Sequence, residues 1–164
     1  MIVGKTNGRV KDIAIRPLTR SDIRDLHLYC FPEASAESVT DYVERALRFV
    51  ERGQAAHLVA EAGGHAIANA QLICWRKRAE IGSLVVAEPL RGRGIGTALI
   101  GALSNAAVEL GVEQIEIGAD KRNKQVVGLY RRLGFTSHKE VLVPKDGNDD
   151  EIIVYLLKPV PPPS

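Results

Sequence analysis

The sequence predicts a single mixed α/β domain in which about seven strands, mostly antiparallel, are flanked by about four helices. Three observations lead there. The chain has 164 residues, 45% of them hydrophobic and 26% charged, which fills one core and is too little for two. Two strand patterns meet at a Gly63-Gly64 turn and a third follows directly, describing an antiparallel meander. Farther on, helical patterns that stop at Gly111 and Gly134 alternate with strand patterns, as in a sheet covered by helices.

Residues 1–11 carry Gly4, Asn7 and Gly8 without periodicity and are expected to be flexible, leaving a domain over 12–158 and a proline-rich tail over 159–164. Residues 12–16 alternate as a strand. Thr19 or Ser21 can cap a helix that reaches Phe31, where Pro32 stops it. A second helix is expected over 36–52, closed by Gly53. The meander strands are expected over 55–62, 66–75 and 80–87. The next helix places Ile95, Leu99, Ala102, Leu103, Ala106 and Leu110 on one face. A strand over 112–119, a helix over 123–133 and strands over 135–143 and 151–158 complete the chain. The last strand contains the apolar run Ile152 to Leu157, the pattern of a buried central strand.

Composition narrows the function. With 22 basic against 20 acidic residues and 5% aromatic content, the chain lacks the basic and stacking surface that nucleic acid needs. Cys30 and Cys74 stand far apart and the four histidines are scattered, so neither a disulfide framework nor a metal site is expected. No segment approaches the roughly 20 apolar residues of a membrane helix. The start lacks the apolar core of a signal peptide, and a cytoplasmic location with no membrane partner is the expectation. The oligomeric state is open between monomer and homodimer.

The most informative segment runs from Leu84 to Thr97, an apolar strand leading into Arg91-Gly92-Arg93-Gly94-Ile95-Gly96 and then a helix. Glycines at alternate positions remove Cβ atoms where backbone N–H groups must approach a ligand. The helix start offers unpaired N–H groups and a positive dipole end, and the two arginines suit phosphate oxygens. A diphosphate is the natural guest. The dinucleotide pattern GxGxxG would need a small residue at Thr97 or Leu99, and the triphosphate-loop pattern has no match.

This loop, with Asn123 and the later Leu129-Tyr130-Arg131-Arg132-Leu133-Gly134-Phe135, resembles the GNAT superfamily of acyl-CoA-dependent N-acetyltransferases over residues 79–135. The resemblance implies acetyl-CoA as acyl donor, with no metal, and a central strand pair that splays apart. It implies that the backbone of residues 91–97 wraps the pyrophosphate, with Thr97 ending the cradle. Leu84, Val85 and Val86 would pair with the pantetheine arm, and an N–H near Val86 would steady the developing oxyanion. Asn123 would contact the cofactor, Tyr130 would act as general acid, and Glu80, four residues before the triplet, as general base. By strand alternation Glu80 shares a face with Leu84 and Val86. The other family position for a base, five residues before Asn123, holds Gly118. Asp120 and Glu33 are reserve bases. A covalent route through Cys74 ranks below direct transfer, and Lys121, Arg122 and Lys124 are candidates for the 3′-phosphate. The implied function is acetyl transfer to a primary amine of a small molecule, protein or peptide, in a ternary complex. The alternative is a non-catalytic acyl-CoA-binding sensor.

Overall fold

The computed structural model describes residues 5–6, 9–10, 12–147 and 149–163. Much of the segment expected to be flexible, residues 1–4, 7, 8 and 11, together with Asn148 and Ser164, lies outside the described residues. Two short strands, β1 (Lys5–Thr6) and β2 (Arg9–Val10), pair antiparallel apart from the main sheet.

The main sheet has seven strands: β3 (Ala14–Pro17), β4 (Ala55–Ala62), β5 (His65–Trp75), β6 (Arg78–Val86), β7 (Gln114–Asp120), β8 (Thr136–Val143) and β9 (Glu151–Pro159). Their order is β3-β4-β5-β6-β7-β9-β8, and only β6 and β7 run parallel. That parallel pairing covers Arg78–Ile81 against Gln114–Ile117 and then ends. Beyond it the two strands part, and the β7-facing edge of β6 carries no partner strand.

Helix α1 (Ile23–Asp25) is shorter than the sequence suggests. A 3-10 turn, Arg20–Asp22, leads into it and one π-helical turn, Leu26–Cys30, follows. The entry is held by Asp22, which accepts from the Thr19 N–H at 2.8 Å and from both Arg16 Nη atoms at 2.9 and 2.7 Å. Helix α2 (Ala36–Glu51) starts at a Ser35 cap, whose hydroxyl accepts from the Ser38 N–H at 3.0 Å. Helix α3 (Ile95–Glu109) buries Ile95, Leu99, Ile100, Leu103 and Ala107. Ala102, Ala106 and Leu110 are half-buried instead, because a four-residue step from Ile95 carries the stripe one position past them. Helix α4 (Lys124–Arg132) buries Val127 and Tyr130.

Two cores result, one on each face of the sheet. Leu99, Leu103, Val127, Tyr130 and Phe135 from the α3–α4 side join Leu72, Ile81, Ile115, Ile117 and Leu156 of the strands. On the other face Leu26, Val39, Val43 and Ala46 of the α1–α2 segment pack on Val59, Ala66 and Val85. Each fully buried Leu or Val adds about 1.5–3 kcal/mol, so both helical layers are strongly held. Strand β9 departs from the buried pattern expected of it. Val154 and Leu156 are buried, while Ile152 is exposed and Ile153, Tyr155 and Leu157 are half-buried. The α1–α2 layer packs on β4, β5 and β6 and leaves open the face of β9 that carries Ile153, Tyr155 and Leu157, whereas Ile152 is exposed at the start of the strand on the face of Val154 and Leu156.

A bulge shapes β6. Between the pairs Gln71↔Gly82 and Asn69↔Val85, β6 carries one extra residue, with Ser83 at φ +50°. Beneath it lies a buried polar network. Asn69 donates from Nδ2 to the Tyr42 hydroxyl and to the Ser83 carbonyl, both at 3.0 Å, and its Oδ1 meets His57 Nε2 at 2.6 Å. Burial lowers the His57 pKa against the opposing Asn69 bond, so the ring is neutral and Nε2–H donates. Asn69→Ala strips partners from the imidazole and the bulge carbonyl together. The expected loss is about 3 kcal/mol, read as a lower urea midpoint at unchanged slope. A loss under about 1 kcal/mol would mean that the network does not hold the bulge.

Candidate active site

The bulge changes which residues share a face. Strict alternation predicts Glu80 beside Leu84 and Val86; the extra residue reverses this beyond Ser83. Glu80, Gly82 and Val85 lie on the α2 side, whereas Leu84 and Val86 pack with the α3–α4 core.

On the α3–α4 side a concavity of about 170 Å³ is lined by Val86, Leu90, Arg91, Gly92, Gly94, Ile95, Gly96, Thr97 and Leu129. The sequence-predicted loop is thus gathered around one hollow. Gly92 and Gly94 have φ of +75° and +88°, a region that only glycine enters without strain, and Gly94 caps α3. The first N–H bonded to the loop from within α3 is that of Ala98, to the Gly94 carbonyl at 3.0 Å. The N–H groups of Ile95, Gly96 and Thr97 therefore have no intrahelical partner. A Cβ built at Gly92 or Gly96 meets nothing within 4 Å, so the glycines leave open space where an anion would sit. Arg91 donates from Nε to the Val86 carbonyl at 3.0 Å, tying the loop to the end of β6, and Arg93 is half-buried.

Asn123 is exposed at the start of α4, where its Oδ1 accepts from the Val126 N–H at 3.2 Å. Its first task is to cap the helix. Tyr130, next to the hollow's Leu129, is buried with its ring 6.2 Å from that of Phe135, and burial raises its pKa above the ordinary phenol value. Of the phosphate candidates, Lys121 pairs with Glu140 at 3.0 Å and Arg122 with Asp120 at 3.0 Å; Lys124 is exposed. Cys74 is half-buried and burial raises its pKa, which disfavours a nucleophilic thiolate.

The opposite face carries the residue that sequence reasoning missed. Glu116 sits across the parallel register from Glu80, is 6% exposed, and its Oε2 is buried without a hydrogen bond. Arg78, His138 and Lys139 approach that oxygen at 3.8, 3.9 and 3.9 Å. Burial, then the charge of Glu116, push the Glu80 carboxyl above its ordinary pKa, with Lys139 offsetting part of the shift. Two residues beyond, Gly118 is closely covered: a Cβ there would lie 3.0 Å from Tyr155 Cε1 and 3.1 Å from Ile153 Cγ2, so those side chains would have to give by a few tenths of an ångström. No sequence signal marked Glu116: with Gln114 and Asp120 it alternates with apolar residues along β7, the pattern of a strand with one polar face, and its burial appears only in the fold. Among the described residues no group of side chains could hold a metal ion, and no helix is long and apolar enough to cross a membrane.

The parted strand pair thus has the glycine-lined hollow at the start of α3 on one side of the sheet and Glu80 with Glu116 on the other. The chain belongs to the acetyltransferase (GNAT) family, whose model matches residues 20–135. It is 41% identical over 64 residues, 39% of this chain, to the N-alpha-acetyltransferase MAK3 of Arabidopsis thaliana, and 30% identical over 146 residues, 81% of this chain, to an uncharacterized N-acetyltransferase of Methanocaldococcus jannaschii. It spans 34% and 64% of the lengths of these two proteins. Its fold matches that of a Salmonella typhimurium acetyltransferase solved with its cofactor acetyl-CoA, at a TM-score of 0.73 and 17% identity, covering 94% of this chain and 97% of that one.

Proposed function

We propose that the protein is a cytoplasmic N-acetyltransferase that moves an acetyl group from acetyl-CoA to a primary amine by direct attack in a ternary complex. The observation that carries this reading is the parting of β6 from β7 between an anion cradle on one face and Glu80 with Glu116 on the other. Acetyl-CoA, when bound, supplies the activated acyl group. The free N–H groups at the start of α3 hold its diphosphate, and the unpaired edge of β6 at Leu84, Val85 and Val86 orients its arm through backbone bonds. The Val86 region offers an N–H to the acyl oxygen. The amine arrives from the α2 side as an ammonium with pKa about 10 and must lose a proton before attack. Glu80 takes that proton, since its raised pKa brings it closer to neutrality than an exposed carboxylate. Tyr130, kept protonated by burial, protonates the leaving sulfur. Glu116 stands across the parallel register from Glu80, and its charge adds to burial in raising the Glu80 pKa.

The test is release of free thiol from acetyl-CoA across small amines and peptides; silence toward every acceptor overturns the reading. A pH profile tests the carboxylate pair. Glu80 must be ionised to act, so activity falls as pH drops through its raised pKa. Glu116→Gln removes a charge that raises this pKa, and the acidic limb of kcat/KM is expected to move to lower pH. Glu80→Gln should cost most near neutrality and least as pH nears that of the free amine. An acidic limb unmoved by both substitutions assigns the base elsewhere.

A further inference from the structure

Beside the carboxylate pair stands a tyrosine for which the chemistry above has no use. The parallel pairing of β6 with β7 ends at Ile81↔Ile117, so Gly118 is the first residue of β7 past the parting. Gly118 stands opposite Tyr155 of β9, and Tyr155 opposite Lys139 of β8. Directly opposed residues share a face of the sheet, and Gly118 lies two positions beyond Glu116. Tyr155 is therefore on the side of Glu80 and Glu116, over the part of β9 that the α1–α2 layer leaves open.

Its ring leans across β7. The place a Cβ would take at Gly118 is 3.0 Å from Tyr155 Cε1 and 3.3 Å from Cδ1, so the glycine lets the ring edge lie against the strand. Lys139 steadies the ring, its Nζ 5.2 Å from the ring centroid and 3.9 Å from Glu116 Oε2, where Arg78 and His138 also approach. The residue is half-buried, and no side-chain hydrogen bond among the described residues engages its hydroxyl. Burial, then the charges of Glu80 and Glu116, raise its pKa above that of an ordinary phenol. It stays protonated near neutrality and is no base, yet its oxygen keeps lone pairs that accept from a cationic N–H.

An ammonium at the parting of β6 and β7 thus has a carboxylate on the β6 side and a neutral phenol oxygen on the β9 side. One N–H directed at Glu80 leaves the nitrogen free to turn about that bond. A second contact fixes the direction in which its lone pair emerges once the proton has left, and attack depends on that direction.

We propose that Tyr155 binds the acceptor: its phenol oxygen accepts a hydrogen bond from the incoming ammonium and keeps it on the free amine while the departing proton passes to Glu80. The phenol retains its own proton throughout. This rests on the N-acetyltransferase reading above. The experiment measures steady-state kinetics of Tyr155→Phe with whichever of spermidine, lysine and an alanine-initiated peptide the wild type uses best. Phenylalanine keeps the ring over Gly118 and beside Lys139, so the melting temperature should hold. The acceptor's kcat/KM is expected to fall by about 10-fold or more, the loss of one hydrogen bond to a charged partner, while KM for acetyl-CoA and the acidic limb set by Glu80 stay in place. Gly118→Ala moves the ring without removing its hydroxyl. It should lower the acceptor's kcat/KM in the wild-type background and add little to Tyr155→Phe. An acceptor kcat/KM unchanged in Tyr155→Phe, a displaced acidic limb, or fully additive losses in the double variant overturns the proposal and leaves the transferase reading intact. Absence of thiol release from every acceptor overturns both.

Discussion

Tyr130→Phe is expected to lower kcat by about 100-fold or more, the range of one general acid, while acetyl-CoA binding stays nearly unchanged. The separation is the point of the experiment. Tyr130 belongs to the α3–α4 core, where its ring packs near Phe135 and its burial contributes to α4 docking. Phenylalanine keeps that ring and removes only the hydroxyl, so the fold should tolerate the change. Without a donor the sulfur must leave as an unprotonated thiolate, whose conjugate acid titrates near 8.5. A single-turnover assay with saturating acetyl-CoA reads the step directly. Wild-type turnover in the variant would make Tyr130 a packing residue.

Gly96→Val carries the second large effect, on affinity. Gly94 is the less useful position: its φ of +88° strains any side chain, so loss of binding there could follow from a distorted helix start. Gly96 has ordinary helical geometry and open space where its Cβ would stand. The fold should therefore survive, with an unchanged melting temperature in the absence of ligand. The branched side chain would fill the hollow that Ile95, Gly96 and Thr97 present to a diphosphate. Loss of two charge-assisted bonds of about 1.5 kcal/mol each predicts acetyl-CoA binding weaker by about 100-fold or more. Calorimetric titration checks it, and retained affinity would place the diphosphate elsewhere.

Much of the fold was legible because its punctuation is local. Gly53, Gly63, Gly64, Gly111 and Gly134 take positive φ at the turns and helix ends where their spacing located them. The cradle was legible for the same reason, since a glycine loop between a strand and a helix start is a contiguous stretch of chain. Asn123 was legible as a position, and the structure adds that its carbonyl oxygen is engaged in capping α4.

What stayed hidden depends on residues far apart in sequence. The face of Glu80 turns on one extra residue at Ser83, held by Asn69, His57 and Tyr42 from a neighbouring strand and helix. The role of Glu116 depends on its register with Glu80 and on cations from β6 and β8. The open face of Ile153 and Tyr155 depends on where α1 and α2 stop covering the sheet. By itself the sequence determined most of the elements, their order and the glycine loop before α3, because backbone conformation and short-range hydrogen bonding decide these within a few residues. Only the tertiary structure decided that Glu80 lies on the opposite side of the sheet from Leu84 and Val86, with Glu116 beside it. A bulge inverts the alternation of every residue beyond it, and its position is set by packing and hydrogen bonds between strands and helices that no local pattern records.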